Sequence, residues 1–344
     1  MSEKIRIGVI GLGVMGEQYV RFYQDHPWTR VTAVAARRRE QVEGIARRYQ
    51  VEHALTDWRE MLEKNLVDAV CVALPDAHHH EAASAAIRAG KHVLIEKPMT
   101  CDLAEADDLV RLTEAAGVKV QVAFNHRWLA PYHQGHLSIA QNAIGKPLFA
   151  YARKNDTIFV PTEMIDWAAK TTPAWFLNSH DIDLICWYFD SEPVEARAWG
   201  VKQVLVARGI DTWDVISAQV RFASGALATF ESAWIYPNSF PTIVDSFVEV
   251  IGESGHLHFD RKRESMEQST QEKFTYPKNF LSAEIFGVWR GAYPSCLDDF
   301  ARSIHDDRAT AVGVRDGRRV TAILAAIHAS LASGVAETIQ PLAL

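Results

Sequence analysis

The chain has 344 residues, 48% of them apolar and 23% charged. That is more than one small core holds and about right for two domains, because single hydrophobic cores stop growing at about 250 residues. The net charge of −7 contains no long run of one sign, which argues against nucleic-acid and polybasic membrane partners, and no stretch approaches the ~18 uninterrupted apolar residues of a membrane span.

In chain order, KIRIGVI, VTAVAA, DAVCVAL, HVLIE and VKVQVA are short runs of β-branched and small apolar residues, as parallel strands buried on both faces require. Helical segments lie between them. Val42, Ile45, Ala46 and Tyr49 share one helical face, and EAASAAIRAG is a run of strong helix formers closed by Gly90. Asp102 with Glu105 three residues later forms a capping box that opens a helix ending at Gly117. Alternating strand and helix predict a doubly wound α/β domain over residues 1–124. The N-terminal MSEKI leads directly into the first strand with no leader-like segment, so a soluble cytoplasmic protein is expected.

Beyond Phe124 the runs lengthen and alternate: GKPLFAYARKN, WDVISAQVRFASGALATFESAWI and TIVDSFVEVIGESGHLHFD. Ser224-Gly225 and Ser254-Gly255 break two of them as hairpin turns, and Ile216, Ala218, Val220 and Phe222 share one face. Residues 125–344 therefore read as an α+β domain with a large, mostly antiparallel open sheet, with helices near Ser179–Asp190 and Arg315–Ser333. A sheet of this kind has one face toward its own helices and needs a cover for the other, so a homo-oligomer is expected.

The chemistry begins at the first turn. Gly11, Gly13 and Gly16 form G-x-G-x-x-G after the first strand, with Val14 and Met15 between them at the helix start. Such a turn brings backbone N–H groups and a helix N-terminus to a pyrophosphate, although glycines in tight strand-helix turns also serve packing alone. About 20 residues on, a carboxylate would take the ribose hydroxyls of NAD(H). None stands there; VTAVAA is followed by RRRE, and Arg37 and Arg38 suit the 2′-phosphate of NADP(H). NADP(H) is therefore expected over NAD(H), the alternative being that both arginines simply open the next helix in solvent.

GLGVMG, LPDAHHHEAASAAIRAGKHVLIEKP, FNHRW, IGKP and SHDIDLICWY occur in this order. Together they resemble the glucose-fructose oxidoreductase / myo-inositol dehydrogenase (Gfo/Idh/MocA) family over nearly the whole chain. The resemblance implies a Rossmann domain, a nicotinamide cofactor and hydride transfer to or from a sugar, polyol or related carbohydrate. It makes Lys97 of Glu-Lys-Pro an active-site residue at the substrate hydroxyl, Glu96 its orienting partner beside the cofactor, and Pro98 the rigid turn. Pro75 and His79 are implied near the nicotinamide ribose, and Asn125 and Arg127 near the substrate. His180 is the second catalytic candidate, assisted by Asp183 or Asn178. Family members commonly carry an Asp one turn before this histidine; here Phe176 takes its place.

Other groups carry less. The His78–His80 triplet cannot converge on one ion and has no accompanying ligand spacing, and Cys71, Cys101, Cys186 and Cys296 are scattered, so neither metal nor disulfide is expected. Trp128, Trp167, Trp175 and Trp234 are candidates for sugar-ring platforms, though a place in the core is the stronger reading for any one of them. Two other readings share these motifs: a ligand-sensing regulator without turnover, and a dehydrogenase of non-sugar cyclic diols.

Overall fold

The apolar runs of the first third become six parallel strands in the computed structural model, which describes residues 4–342. They are β1 (Ile5–Ile10), β2 (Thr29–Ala35), β3 (His53–Leu55), β4 (Ala69–Val72), β5 (His92–Ile95) and β6 (Val120–Val122). Their order is β3-β2-β1-β4-β5-β6, the doubly wound arrangement whose strand order reverses between β1 and β4. Helices α1 (Val14–Asp25), α2 (Arg39–Tyr49), α3 (Arg59–Glu63), α4 (His79–Arg88) and α5 (Leu103–Ala116) connect them. Val9, Ile10, Val34, Val70, Cys71, Leu94 and Ile95 are buried in the central strands, which explains why the runs are unbroken rather than alternating. At the start of α5, Asp102 Oδ1 accepts the Glu105 N–H at 3.0 Å, and Gly117 closes the helix at φ 65°.

Residues after Phe124 build a second sheet. Its elements are α6 (Ala130–Ala140), β7 (Pro147–Thr157), α7 (Ser179–Phe189), β8 (Pro193–Val201), β9 (Val215–Phe222), β10 (Leu227–Tyr236), β11 (Val244–Gly252) and β12 (His256–Asp260). Two short hairpins follow, β13 (Gln268–Ser269) with β14 (Phe274–Thr275) and β15 (Ala283–Ile285) with β16 (Val288–Arg290). Helices α8 (Ala292–His305) and α9 (Val314–Ser333) and strand β17 (Glu337–Thr338) complete the order. The large sheet runs β12-β11-β7-β10-β9-β8-β17 and is antiparallel except where β10 pairs with β7.

By contacts the chain divides into two units, and the division corrects one expectation. The first contains the chain up to Phe124 together with Tyr293–Arg318; the second contains Asn125–Ala292 and the chain from Arg319 onward. Residues 125–344 are thus not one uninterrupted domain. The returning segment packs Cys296, Leu297, Phe300 and Ala301 into the first core. It is also tied there by polar groups: Tyr23 donates to the Leu297 carbonyl at 3.1 Å, Gln121 to the Cys296 carbonyl at 2.9 Å, and the Val122 N–H to the Val312 carbonyl at 3.0 Å. Backbone groups on the edge strand β6 must find partners, and a segment distant in sequence provides them.

Candidate active site

In the first unit, candidate residues lie at the carboxyl ends of β1, β4 and β5. Gly11 has φ 88°, and a Cβ there would come 2.3 Å from the Ala73 carbonyl oxygen. At Gly16 a Cβ would come 1.8 Å from the Gly11 carbonyl oxygen, so close packing of α1 on the turn demands glycine. Gly13 differs. Its Cβ would meet nothing within 4 Å, beside a Val14 that is 79% exposed and a half-buried Met15 at the start of α1. Packing therefore accounts for two of the glycines, while the third leaves backbone open at a helix N-terminus, the cradle a pyrophosphate needs.

At the end of β2, Arg37 and Arg38 are exposed and no carboxylate stands among Ala35, Ala36 and Arg37. Arg38 precedes α2 with extended backbone and directs Nε to Gln41 Oε1 at 3.3 Å. Gln41 in turn donates to the Leu12 carbonyl at 2.7 Å, linking the start of α2 to the glycine turn.

The Glu-Lys-Pro segment follows β5 directly. Glu96 is buried; its Oε1 accepts the Tyr19 hydroxyl from α1, and its Oε2 accepts the Lys97 N–H at 3.1 Å. Burial, and then the Glu96 carboxylate, push the Tyr19 phenol well above its ordinary pKa, so it stays a donor. Glu96 thus fixes the backbone of Lys97 against α1, and the lysine side chain is half-buried. The Lys97–Pro98 peptide is cis.

His79, implied by the resemblance to lie near the nicotinamide ribose, is held by backbone groups. It is fully buried, with Nδ1 2.8 Å from the Pro98 carbonyl oxygen and Nε2 2.8 Å from that of Leu74. Both ring nitrogens face backbone carbonyls, so it braces the loop after β4 against the turn after β5. Pro75 remains half-buried on that loop. His80 pairs with Asp108 at 2.9 Å, and no cluster of three potential metal ligands occurs among the described residues.

The second unit holds its own group of candidate residues. Helix α7 is buried on nearly every side, so its two aspartates must be paired. Asp183 forms a two-pronged ion pair with Arg127, at 2.9 Å from Nε and 2.6 Å from Nη2. The two residues expected to bind substrate thus hold each other. Asp181 takes the ammonium of Lys154 at 2.8 Å on Oδ1 and the Asn178 amide at 3.3 Å on Oδ2; Asn178 also donates to the Glu231 carbonyl at 3.2 Å. Asn125 is buried, and its Oδ1 has no hydrogen-bond partner among the described residues. His180, at the start of α7, stacks on His126 with ring centroids 4.4 Å apart and planes 15° apart.

Phe176 completes an aromatic group with Trp234, 5.5 Å away edge-on, and Trp167, 5.9 Å away. It packs on the cluster of Ala168, Leu177, Leu205 and Trp234. The position of the usual Asp is therefore occupied by a partly buried aromatic ring in apolar surroundings. Trp234 and Trp175 are core residues, the latter stacked on His328 at 5.3 Å.

Sequence reading missed Tyr19, His126, Lys154 and Arg261. One signal pointed to Lys154: Ala150 and Ala152 face the core from β7, and period two puts Lys154 on the same face. No local pattern marks the others: Tyr19 meets Glu96 77 residues away, and His126 meets Lys154 and Arg261 28 and 135 residues away.

A β3-β2-β1-β4-β5-β6 parallel sheet with an open glycine turn after its first strand defines a dinucleotide-binding protein, and the second α/β unit with its buried polar helix suits a two-domain oxidoreductase. The chain belongs to the Gfo/Idh/MocA oxidoreductase family: residues 5–124 match its NAD-binding Rossmann fold and residues 138–339 its C-terminal alpha/beta domain. It is 27% identical over 320 residues to the myo-inositol 2-dehydrogenase of Thermotoga maritima, covering 91% of this chain and 92% of that one. Among solved structures, a probable dehydrogenase from Thermotoga maritima superposes with a TM-score of 0.83 at 25% identity, over 97% of this chain and 99% of that one. The fold is also that of scyllo-inositol dehydrogenase from Lactobacillus casei with bound NAD(H) and scyllo-inositol, TM-score 0.85 at 20% identity, over 98% and 99%. No helix among the described residues is long and apolar enough to cross a membrane.

Proposed function

We propose that this oxidoreductase interconverts a secondary alcohol and its carbonyl on a sugar, polyol or related carbohydrate in the cytoplasm, with NADP(H) favoured over NAD(H). The observation that carries the reading is Glu96-Lys97-Pro98 at the carboxyl end of β5, braced through Glu96 to α1 and through His79 to the loop after β4. The inositol dehydrogenases among its relatives support the substrate class.

When bound, the nicotinamide supplies the site that accepts or donates hydride. Gly11, Gly13 and Gly16, with Val14 and Met15, would hold its pyrophosphate at the start of α1, and Arg37 and Arg38 its adenosine phosphate. Lys97, assisted by His180, would take the single hydroxyl proton on oxidation and return it on reduction. Glu96 orients Lys97 through its backbone. Incubating the protein with NADPH or NADH and a panel of sugars, inositols, lactones and dihydrodiols tests the reading. Turnover of a carbohydrate supports it, turnover of dihydrodiols alone would shift it to non-sugar rings, and cofactor binding without any turnover would favour a sensing role.

Cofactor choice has its own test. In the Arg37→Ala/Arg38→Ala variant, affinity for NADPH is expected to fall by about 10- to 100-fold, the scale of losing one or two charge-assisted contacts. NADH affinity should change little. Equal losses for both cofactors, measured by fluorescence titration, would remove the assignment of these arginines.

Assembly follows from the second sheet. Its face away from α7 and α9 exposes Trp199 at 59%, Val201 at 48% and Ile251 at 39%, among Arg153, Glu231 and Glu249. An apolar and aromatic surface of this kind is suited to a second copy of the chain. Light scattering at micromolar concentration is expected to report a dimer or tetramer; a monomeric mass contradicts it.

A further inference from the structure

Phe176 leaves open what orients His180, and the second unit offers a different neighbour. The His126 ring lies parallel to that of His180, with centroids 4.4 Å apart and 15° between planes. His126 is itself held at its far edge. Its Nε2 lies 3.4 Å from Lys154 Nζ and 3.4 Å from Arg261 Nη1, and its Nδ1 lies 3.9 Å from Asp181 Oδ1. Two cationic donors facing Nε2 make that nitrogen the acceptor, which puts the ring proton on Nδ1, toward Asp181.

The anchors are fixed in turn. Lys154 pairs with Asp181 at 2.8 Å and Arg261 with Glu264 at 2.7 Å, so the two cations are matched by two anions. Tyr132 closes another side, its ring 5.4 Å from that of His126 and 5.7 Å from the Arg261 guanidinium. All of these groups are buried. They come from the segment after β6, from α6, β7 and α7, and from the loop after β12. Burying paired charges is a poor route to stability, since apolar side chains of similar volume do as well or better, but it fixes orientation.

We propose that His126 is a positioning residue: its flat ring, packed beside Tyr132 and edged by Lys154 and Arg261, sets by its plane the orientation of the His180 imidazole, the task a carboxylate at position 176 would otherwise serve. The catalytic meaning of this arrangement rests on the proposed role of His180; the arrangement itself does not.

The test compares His126→Ala, which removes the plate, with His126→Phe, which keeps a flat ring. Crystal structures are expected to show His180 in its original rotamer in H126F and in a different one, or spread over several, in H126A. Turnover in H126A should fall by about 10- to 100-fold, the cost of a misplaced catalytic group, with the Kd for NADPH unchanged. H126F should recover most of it. The proposal fails if His180 keeps its place in H126A, if H126F displaces it equally, or if neither variant folds, which would make His126 a residue of stability alone. Ring positions need no substrate, so absence of any dehydrogenase activity would overturn the proposed function without touching this result.

Discussion

Lys97→Met is expected to lower turnover by about two orders of magnitude or more, the scale for loss of a positioned acid-base group, while NADPH affinity stays near that of the unchanged protein. Methionine matches the length of the lysine stem and keeps its packing. The features that brace this turn involve other atoms: Glu96 accepts the backbone N–H of residue 97, and His79 faces the Pro98 carbonyl. The glycine turn on β1 and α1 is a separate segment and should bind the dinucleotide as before. Lys97→Arg sharpens the result. An arginine keeps the positive charge but does not release its proton, so it should be nearly as inactive as methionine if the lysine transfers a proton, and largely active if only charge is needed. Wild-type turnover in Lys97→Met, on a substrate identified by the panel assay, would end the catalytic reading of Glu-Lys-Pro.

Arg127→Leu is expected to destabilise the protein by about 3–5 kcal/mol, because it strands the buried Asp183 carboxylate. In the structure Arg127 presents two donors to that carboxylate, and both side chains are nearly inaccessible. Adding Asp183→Leu should restore most of the loss, since an apolar pair of similar volume removes the charge that needed a partner. Urea unfolding of the three variants measures this directly. A substrate-binding arginine would behave differently: stability would hold, KM would rise, and the second substitution would rescue nothing.

The first unit was readable because its signals are local. A parallel strand buried on both faces must be apolar throughout, a helix start needs a cap, and a turn in which Gly16 meets the Gly11 carbonyl tolerates no Cβ. Each constraint acts within a few residues, so each leaves a mark at a fixed spacing. The segment Tyr293–Arg318 was not readable as part of that unit. Its amphipathic helix would suit either core, and only the needs of the β6 edge decide between them.

The site divides along the same line. Glu96, Lys97 and Pro98 stand out in the chain because charge interrupts an apolar strand, and Phe176 because an apolar residue stands where a carboxylate is usual. Which partner each buried polar group finds is not marked in the sequence. Tyr19 reaches Glu96 across 77 positions, Arg127 closes on Asp183 across 56, and His126 meets Arg261 across 135. A buried polar atom must be satisfied, but the requirement specifies only a donor or an acceptor at the right place, not where along the chain it comes from. Motif and periodicity therefore determined the cofactor fold and marked Lys97 as a position to test. Which polar side chains pair with which, and hence that Arg127 and Asp183 hold each other while His126 faces His180, was decided only when distant segments were brought into one low-dielectric interior.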